Sequence, residues 1–232
     1  MPLLAMSEIA ENIKALRKEL PEKVKLVAVS KTKPVEDIME AYNAGHRVFG
    51  ENRVQELLGK YEHLPRDVQW HMIGHLQRNK VKYIAGFIHL IESVDSEKLL
   101  RAINKEALKA GRVIDCLLQF HIAREETKFG FSSEEAVEMI ESGLTDELRN
   151  VNIRGVMGMA TFTGDMERVR SEFIFLRSVY DDLKKRFFSS DNNFSEISMG
   201  MSGDYKVALE EGSTMIRLGT LVFGARYCKI DN

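Results

Sequence analysis

Apolar positions along this chain follow two alternating rhythms. Short, near-continuous apolar runs fall at 24–30, 47–50, 69–73, 88–93, 114–121, 152–160, 195–199 and 214–223. Each reads as a strand covered on both faces. Between most of them the apolar residues step by three and four, the spacing of a helix with one buried stripe. Such stripes are Ile38, Met39 and Tyr42; Val54, Leu57 and Leu58; and Leu99, Leu100 and Ile103. The longest runs Val169, Phe173, Leu176, Tyr180, Leu183 and Phe187. Ser132 and Glu135 make a capping box ahead of a helix over 133–141. A further helix, striped by Ile9, Ile13, Leu16 and Leu20, precedes the first strand. Eight strands alternating with helices over roughly 200 residues predict an α/β fold, a single closed (β/α)₈ barrel of the TIM type with an extra N-terminal helix. One domain spanning 1–232 is expected. A doubly wound open sheet is the rival arrangement, and two features count against it. The strands number eight, and no Gly-rich dinucleotide fingerprint follows the first of them.

Composition narrows the function more than the fold. Hydrophobic residues make up 44% of the 232 positions, enough for a sizeable core, and charged residues make up 29%. A net charge of −2 supplies no broad field toward nucleic acid or acidic membranes. No apolar run approaches membrane-spanning length, and the N-terminus has no signal-like pattern. Cys116 and Cys228 lie far apart without metal-ligand spacing, and Cys116 sits in the apolar run IDCLLQF. A reducing cytoplasm is the expected location. No proline occurs beyond Pro65, so no Pro-rich linker divides the chain, and SSDNN at 189–193 is short enough for a loop.

The candidate chemistry gathers at the ends of the first and last strands. In VKLVAVSKTKP, five of the six residues from Val24 to Val29 are apolar, and the run stops at Ser30, Lys31 and Pro34. Ligands of parallel α/β proteins bind at the carboxyl ends of strands. Lys31 there is either a solvated loop charge, as Lys33 suggests, or a Schiff-base lysine. At the other end of the chain, SMGMSGD (198–204) closes a strand and opens a short helix, with Ser202 as its N-cap. TMIRLGTLVFGAR sets Gly219 and Thr220 at the end of the last strand. Helix N-terminal amides and glycine backbones suit a phosphate, and barrels often bind one after strands seven and eight. Closure of the barrel brings these segments beside Lys31. Arg217 lies two residues before Gly219 in an otherwise apolar strand, so it shares that residue's face and needs a partner. That partner is an internal carboxylate such as Glu51 or Asp204, or the ring nitrogen of a phosphorylated cofactor. Asn52 in FGENRVQE adds an amide near the mouth. WHMIGHLQRNK carries His71, His75, Gln77, Asn79 and Lys80, but its strand-then-turn context with Gly74 argues against a helical histidine metal pair. Lys128 in EETKFGF is either a solvated loop lysine or an anion contact.

The segments VAVSKTKP, FGENRVQE, WHMIGHLQRNK, RGVMGMAT and SMGMSGDYKVALEEGSTMIRLGTLVFGAR resemble, in order from residue 27 to 226, the pyridoxal-phosphate homeostasis proteins. This family is also known as proline-synthetase co-transcribed or alanine racemase N-terminal-like proteins. The resemblance implies an alanine racemase N-terminal-domain-like barrel binding pyridoxal 5′-phosphate, with the internal aldimine on Lys31 rather than Lys33. It implies Arg217 facing the pyridine nitrogen, Ser202, Gly219 and Thr220 on the phosphate, and Asn52 near the ring. The function it implies is non-enzymatic cofactor buffering and delivery in amino-acid and keto-acid balance, with PLP-dependent apo-enzymes as recipients. An amino-acid racemase is the alternative. Racemases of this barrel type add a tyrosine from a β-domain, and this chain ends six residues after Arg226, leaving no room for one. Its tyrosines fall mostly on helical patterns. An arginine-paired pyridine is a weak electron sink. A monomer is expected, since that β-domain also supplies a dimer contact.

Overall fold

A computed structural model describes residues 7–123 and 129–224. Eight parallel strands close into a barrel in chain order: β1 (Lys25–Val29), β2 (Val48–Glu51), β3 (Gln69–Met72), β4 (Leu90–Val94), β5 (Ile114–Phe120), β6 (Val151–Gly158), β7 (Glu196–Ser198) and β8 (Met215–Leu218). β8 pairs with β1 from Lys25↔Met215 to Ala28↔Leu218, which seals the ring. The eight-stranded barrel expected from the alternation is therefore present, and the open sheet is not.

Helices cover the outer wall: α1 (Glu8–Glu19), α2 (Val35–Asn43), α3 (Val54–His63), α4 (Val81–Ile84), α5 (Glu97–Lys109), α6 (Ser133–Glu141), α7 (Leu144–Glu147), α8 (Met166–Arg186), α9 (Tyr205–Glu210) and α10 (Thr220–Phe223). Each is placed by its apolar stripe. Ile38, Leu57, Leu100, Ile103, Phe173 and Leu176 are fully buried against wall residues such as Ala28, Phe49, Trp70 and Ile91. The capping box at Ser132 and Glu135 starts α6 as its sequence predicts, both reciprocal bonds being made. The extra helix α1 buries Ile13 and Leu16, and its Asn12 side chain donates to the Val222 carbonyl at 3.2 Å, tying it to α10.

Strand side chains alternate in and out, so the barrel has two cores. The large one lies between wall and helices. The small one fills the lumen with Val27, Ile73, Leu90, Leu117, Met157 and Met215. Two strands change phase on the way up. β6 shifts register where Ile153 pairs Cys116 and Gly155 pairs Leu117, and β4 shifts between Ile91 and Val94. Gly155 has φ 152, and a Cβ there would lie 1.8 Å from the Glu196 carbonyl oxygen, so no other residue fits without moving β7.

Two sequence expectations need correction. The run 214–223 is not one strand: β8 stops at Leu218, and 220–223 turn into α10 behind Gly219. Pairing with β1 ends at Leu218, and pairing with β7 is confined to Met215, so apolar character alone overran the element. Ser202 does not cap α9. The helix starts at Tyr205 behind Asp204, whose carboxylate closes the preceding turn by accepting the Met201 N–H at 2.5 Å.

Candidate functional site

A cavity of about 390 Å³ opens at the carboxyl-end mouth of the barrel. Lys31, Ser202, Arg217, Gly219 and Thr220 all line it, together with Gly203, Asp204 and an apolar group that includes Val29, Ile73 and Met159. Thus five of the six site candidates meet in one place. Asn52, the sixth, is half-buried, its carbonyl under Gly74, and is not among the described residues lining the cavity. Lys128 lies outside the described residues.

Lys31 directly follows β1. Ser30 ends the sheet pairing by donating its N–H to the Gly50 carbonyl at 3.1 Å, and the chain then turns, with Lys33 N–H reaching back to the Ser30 carbonyl at 3.0 Å. Thr32 in that turn has φ 64, the left-handed region that a β-branched residue adopts only under constraint. Lys33 is not the solvated neighbour its spacing suggested. It is buried, and its Nζ donates to the Phe223 carbonyl at 2.8 Å, closing the end of α10.

Arg217 points into the lumen because it lies two residues beyond Met215 on β8. It is fully buried. Its Nη1 donates to Ser198 Oγ at 2.5 Å, and its Nη2 to the Gly158 carbonyl at 2.9 Å. Its countercharge is Glu92, with Nη1 3.8 Å from Oε2. Glu92 in turn accepts from Ser198 Oγ at 2.6 Å and pairs with His71 Nδ1 at 2.7 Å. Burial pushes the guanidinium below its ordinary value, opposed by the charges of Glu92 and Asp204. Burial pushes the Glu92 carboxyl up, but the bonds from His71 and Ser198 and the Arg217 charge prevail and hold it below the usual range.

Of the two carboxylates suggested by sequence, Glu51 is not a partner of Arg217 and Asp204 acts on it only through its charge; the paired carboxylate is Glu92. Glu51 faces outward and binds Lys60 Nζ and Ser30 Oγ, at 2.7 and 2.6 Å. The sequence reading passed over Glu92, Ser198 and Lys60. A carboxylate inside the apolar run HLIESV carries the same signal that singled out Arg217. Of the candidate histidines, His71 joins the lumen network, while His75 pairs with Asp95 at 2.8 Å and stacks on Phe129.

At the rim, the segment after β6 is pinned by Glu172 of α8, which accepts the Thr161 N–H at 2.6 Å and its hydroxyl at 2.8 Å. Beyond that anchor Phe162 stands 97% exposed at the edge of the cavity.

An amine on one side, a permanently charged guanidinium on the other, the hydroxyls of Ser202 and Thr220 and two glycines form a donor set. It suits an anionic, heteroaromatic ligand bearing a group that reacts with amines. Among the described residues lining the cavity Asp204 is the single carboxylate, and it is occupied with the Met201 amide, so it does not oppose an anion freely. Burial raises the Asp204 carboxyl, against the pull of that amide and of Arg217.

The family model "alanine racemase, N-terminal domain" matches residues 4–227. A pyridoxal phosphate homeostasis protein of Aquifex aeolicus is 45% identical over 203 residues, 87% of each chain. One from Pongo abelii is 36% identical, covering 97% of this chain and 85% of its own. Among solved structures, PipY of Synechococcus elongatus with PLP bound superposes with a TM-score of 0.85 at 36% identity, covering 94% of this chain and all of PipY. An alanine racemase of Clostridium difficile shares the fold, with a TM-score of 0.74 at 14% identity, and the match spans 57% of that enzyme.

Proposed function

This chain belongs to the pyridoxal phosphate homeostasis proteins, a family built on the alanine racemase N-terminal domain, and we propose that it carries pyridoxal 5′-phosphate covalently on Lys31 without turning over a substrate. The observation that carries this reading is the convergence of Lys31, Arg217, Ser202, Gly219 and Thr220 on one cavity.

When bound, the cofactor supplies an aldehyde that condenses with a primary amine and a ring that withdraws electrons from the attached atom. Lys31 offers the amine at the end of β1. Arg217 would face the ring nitrogen as a donor and, being unable to release its proton at neutral pH, would leave that nitrogen unprotonated. Ser198 and Glu92 fix the guanidinium in that direction. Ser202 and Thr220 would hold the phosphate by their hydroxyls, and Gly203 and Gly219 would admit it close to the backbone. Val29, Ile73 and Met159, which line the cavity, would cover the ring's apolar area.

Racemisation requires proton-transfer groups on both faces of a substrate carbon. Besides Lys31, the described cavity residues include no histidine, cysteine or tyrosine, and Asp204 is engaged with backbone. This supports carrying over catalysis. The cofactor's destination is PLP-dependent apo-enzymes, and the protein works as a monomer of one domain over 1–232, within the cytoplasm. No helix among the described residues is long and apolar enough to cross a membrane.

Borohydride reduction of protein loaded with PLP, followed by peptide mass spectrometry, tests the reading. The pyridoxyl mass is expected on Lys31 and lost in Lys31→Ala. An adduct on another lysine in the unaltered protein overturns it. Incubation with L-amino acids in deuterated water is expected to leave Cα protonated. Deuterium at Cα together with the D-isomer means a racemase.

A further inference from the structure

The turn bearing Lys31 is held from outside the barrel. Lys60 of α3 is buried between wall and helix, and its Nζ makes three short contacts: the Ser30 carbonyl at 2.7 Å, Glu51 Oε1 at 2.7 Å and Glu56 Oε1 at 2.6 Å. Glu51 also takes the Ser30 hydroxyl, and Glu56 takes the Thr32 N–H at 2.5 Å. Both chain neighbours of Lys31 are thus tied to one buried ammonium through two carboxylates. The tie on Thr32 falls at a left-handed conformation, the one positive φ at a non-glycine among the described residues.

Resting on the reading that Lys31 carries the cofactor, we propose that Lys60 and Glu56 are positioning residues for Lys31. Together they enforce the left-handed Thr32 turn that presents the Lys31 amine to the cavity. A threonine left to itself prefers the right-handed or extended region over this one by about tenfold or more. An ionised acceptor on the Thr32 N–H, itself neutralised by Lys60, selects the rare geometry. Neither side chain is among the described residues lining the cavity, so they act on Lys31 only through the backbone they hold. The placement also explains a buried lysine that no lumen group requires. Lys60 lies one turn after Glu56 on α3, a spacing that puts both side chains on one face and lets both reach the same loop.

The test uses full-length apo-protein and free PLP. The rate of the absorption change on attachment is measured well below the melting temperature, and reduced samples are mapped by mass spectrometry. Glu56→Ala is expected to slow attachment about tenfold while shifting the melting temperature little, because Thr32 is exposed and water replaces the lost acceptor. Glu56→Gln, which keeps an acceptor oxygen, is expected to recover most of the rate. Thr32→Gly alone is expected to leave the rate within about twofold, and in the Glu56→Ala background to restore it, because glycine enters the left-handed region at no steric cost. Lys60→Met is expected to slow attachment at least as much. Should it fail to fold, the Glu56 and Thr32 series still decides. An unchanged rate in Glu56→Ala, or a slowed rate that Thr32→Gly does not rescue, overturns the proposal. Absence of a Lys31 adduct in the unaltered protein is a separate failure, that of the carrier reading itself.

Discussion

Inside the barrel, His71, Glu92, Ser198 and Arg217 form a buried polar file. Outside its wall, Glu51, Lys60 and Glu56 form another. The inner file is made wholly of strand residues, each set inward by the alternation of β3, β4, β7 and β8. Its carboxylate uses both oxygens, accepting from His71 on one and from Ser198 on the other. The outer cluster joins a strand end, a helix and a loop, and Glu51 Oε2 within it has no hydrogen-bond partner. Burial accordingly wins at Glu51, raising its carboxyl despite the Lys60 charge, and loses at Glu92. The contrast shows two uses of buried charge. A rigid sheet fixes the direction of a guanidinium, whereas a helix side chain fixes the backbone of a loop.

The largest effect is expected where the inner file is broken. Glu92→Ala strands Arg217 without its countercharge and His71 without its acceptor, at a cost of about 3–5 kcal/mol in urea unfolding. Glu51→Gln keeps acceptor capacity for Lys60 and Ser30 and is expected to cost under about 1 kcal/mol. Equal costs for the two would erase the distinction.

An intermediate effect is expected from acid, and it begins with a residue in neither cluster. His46, buried and bonded through Nε2 to the Val48 carbonyl, is pushed by desolvation down to about 4 from 6.5. The unfolded chain then binds this proton more readily. Its contribution is therefore intact above pH 6.5 and drains away toward pH 4, by about 3 kcal/mol. Unfolding midpoints against pH should lose this descent in His46→Gln.

The two carboxylates act in opposite senses to each other. The depressed Glu92 contributes stability above pH 4.5 that vanishes as pH falls through its folded value. The elevated Glu51 contributes stability below pH 4.5 that is lost as pH rises through its folded value. Glu92→Gln should thus flatten the acid limb and Glu51→Gln should steepen it. The same direction in both variants would contradict the assignment of charge to the inner file and strain to the outer.

Much of this architecture was legible as pattern. Runs apolar on both faces mark strands that helices cover, and Lys31 stood out by where its run stops. Arg217 stood out because a guanidinium inside an apolar strand demands a partner. The identity of that partner was not legible. Glu92 and Arg217 sit on strands far apart in the chain, and only closure of the ring makes them neighbours. Lys60 was hidden for a different reason: it continues the buried stripe of Val54 and Leu57 on α3, but a lysine on such a stripe can equally extend its amine out to water. Thr220 and its successors misled because an apolar run that ends a barrel continues equally well as strand or as a covering turn.

The phase change at Gly155 has a consequence for how such a barrel can diverge. Ile153 and Val156 both face outward although three residues apart, whereas Arg154 borders the small cavity at the amino-end of the lumen and Met157 borders the upper core. One inserted residue uncouples floor from mouth. Below it, side chains answer to the Lys25–Glu196 and Arg154–Asp115 ion pairs at the bottom of the ring; above it, they answer to the ligand. Sequence change on either storey then need not propagate to the other, so long as the position between them carries no side chain. Gly155→Ala would be costly because its Cβ would meet the Glu196 carbonyl oxygen of β7 at 1.8 Å, at the point where the two storeys join.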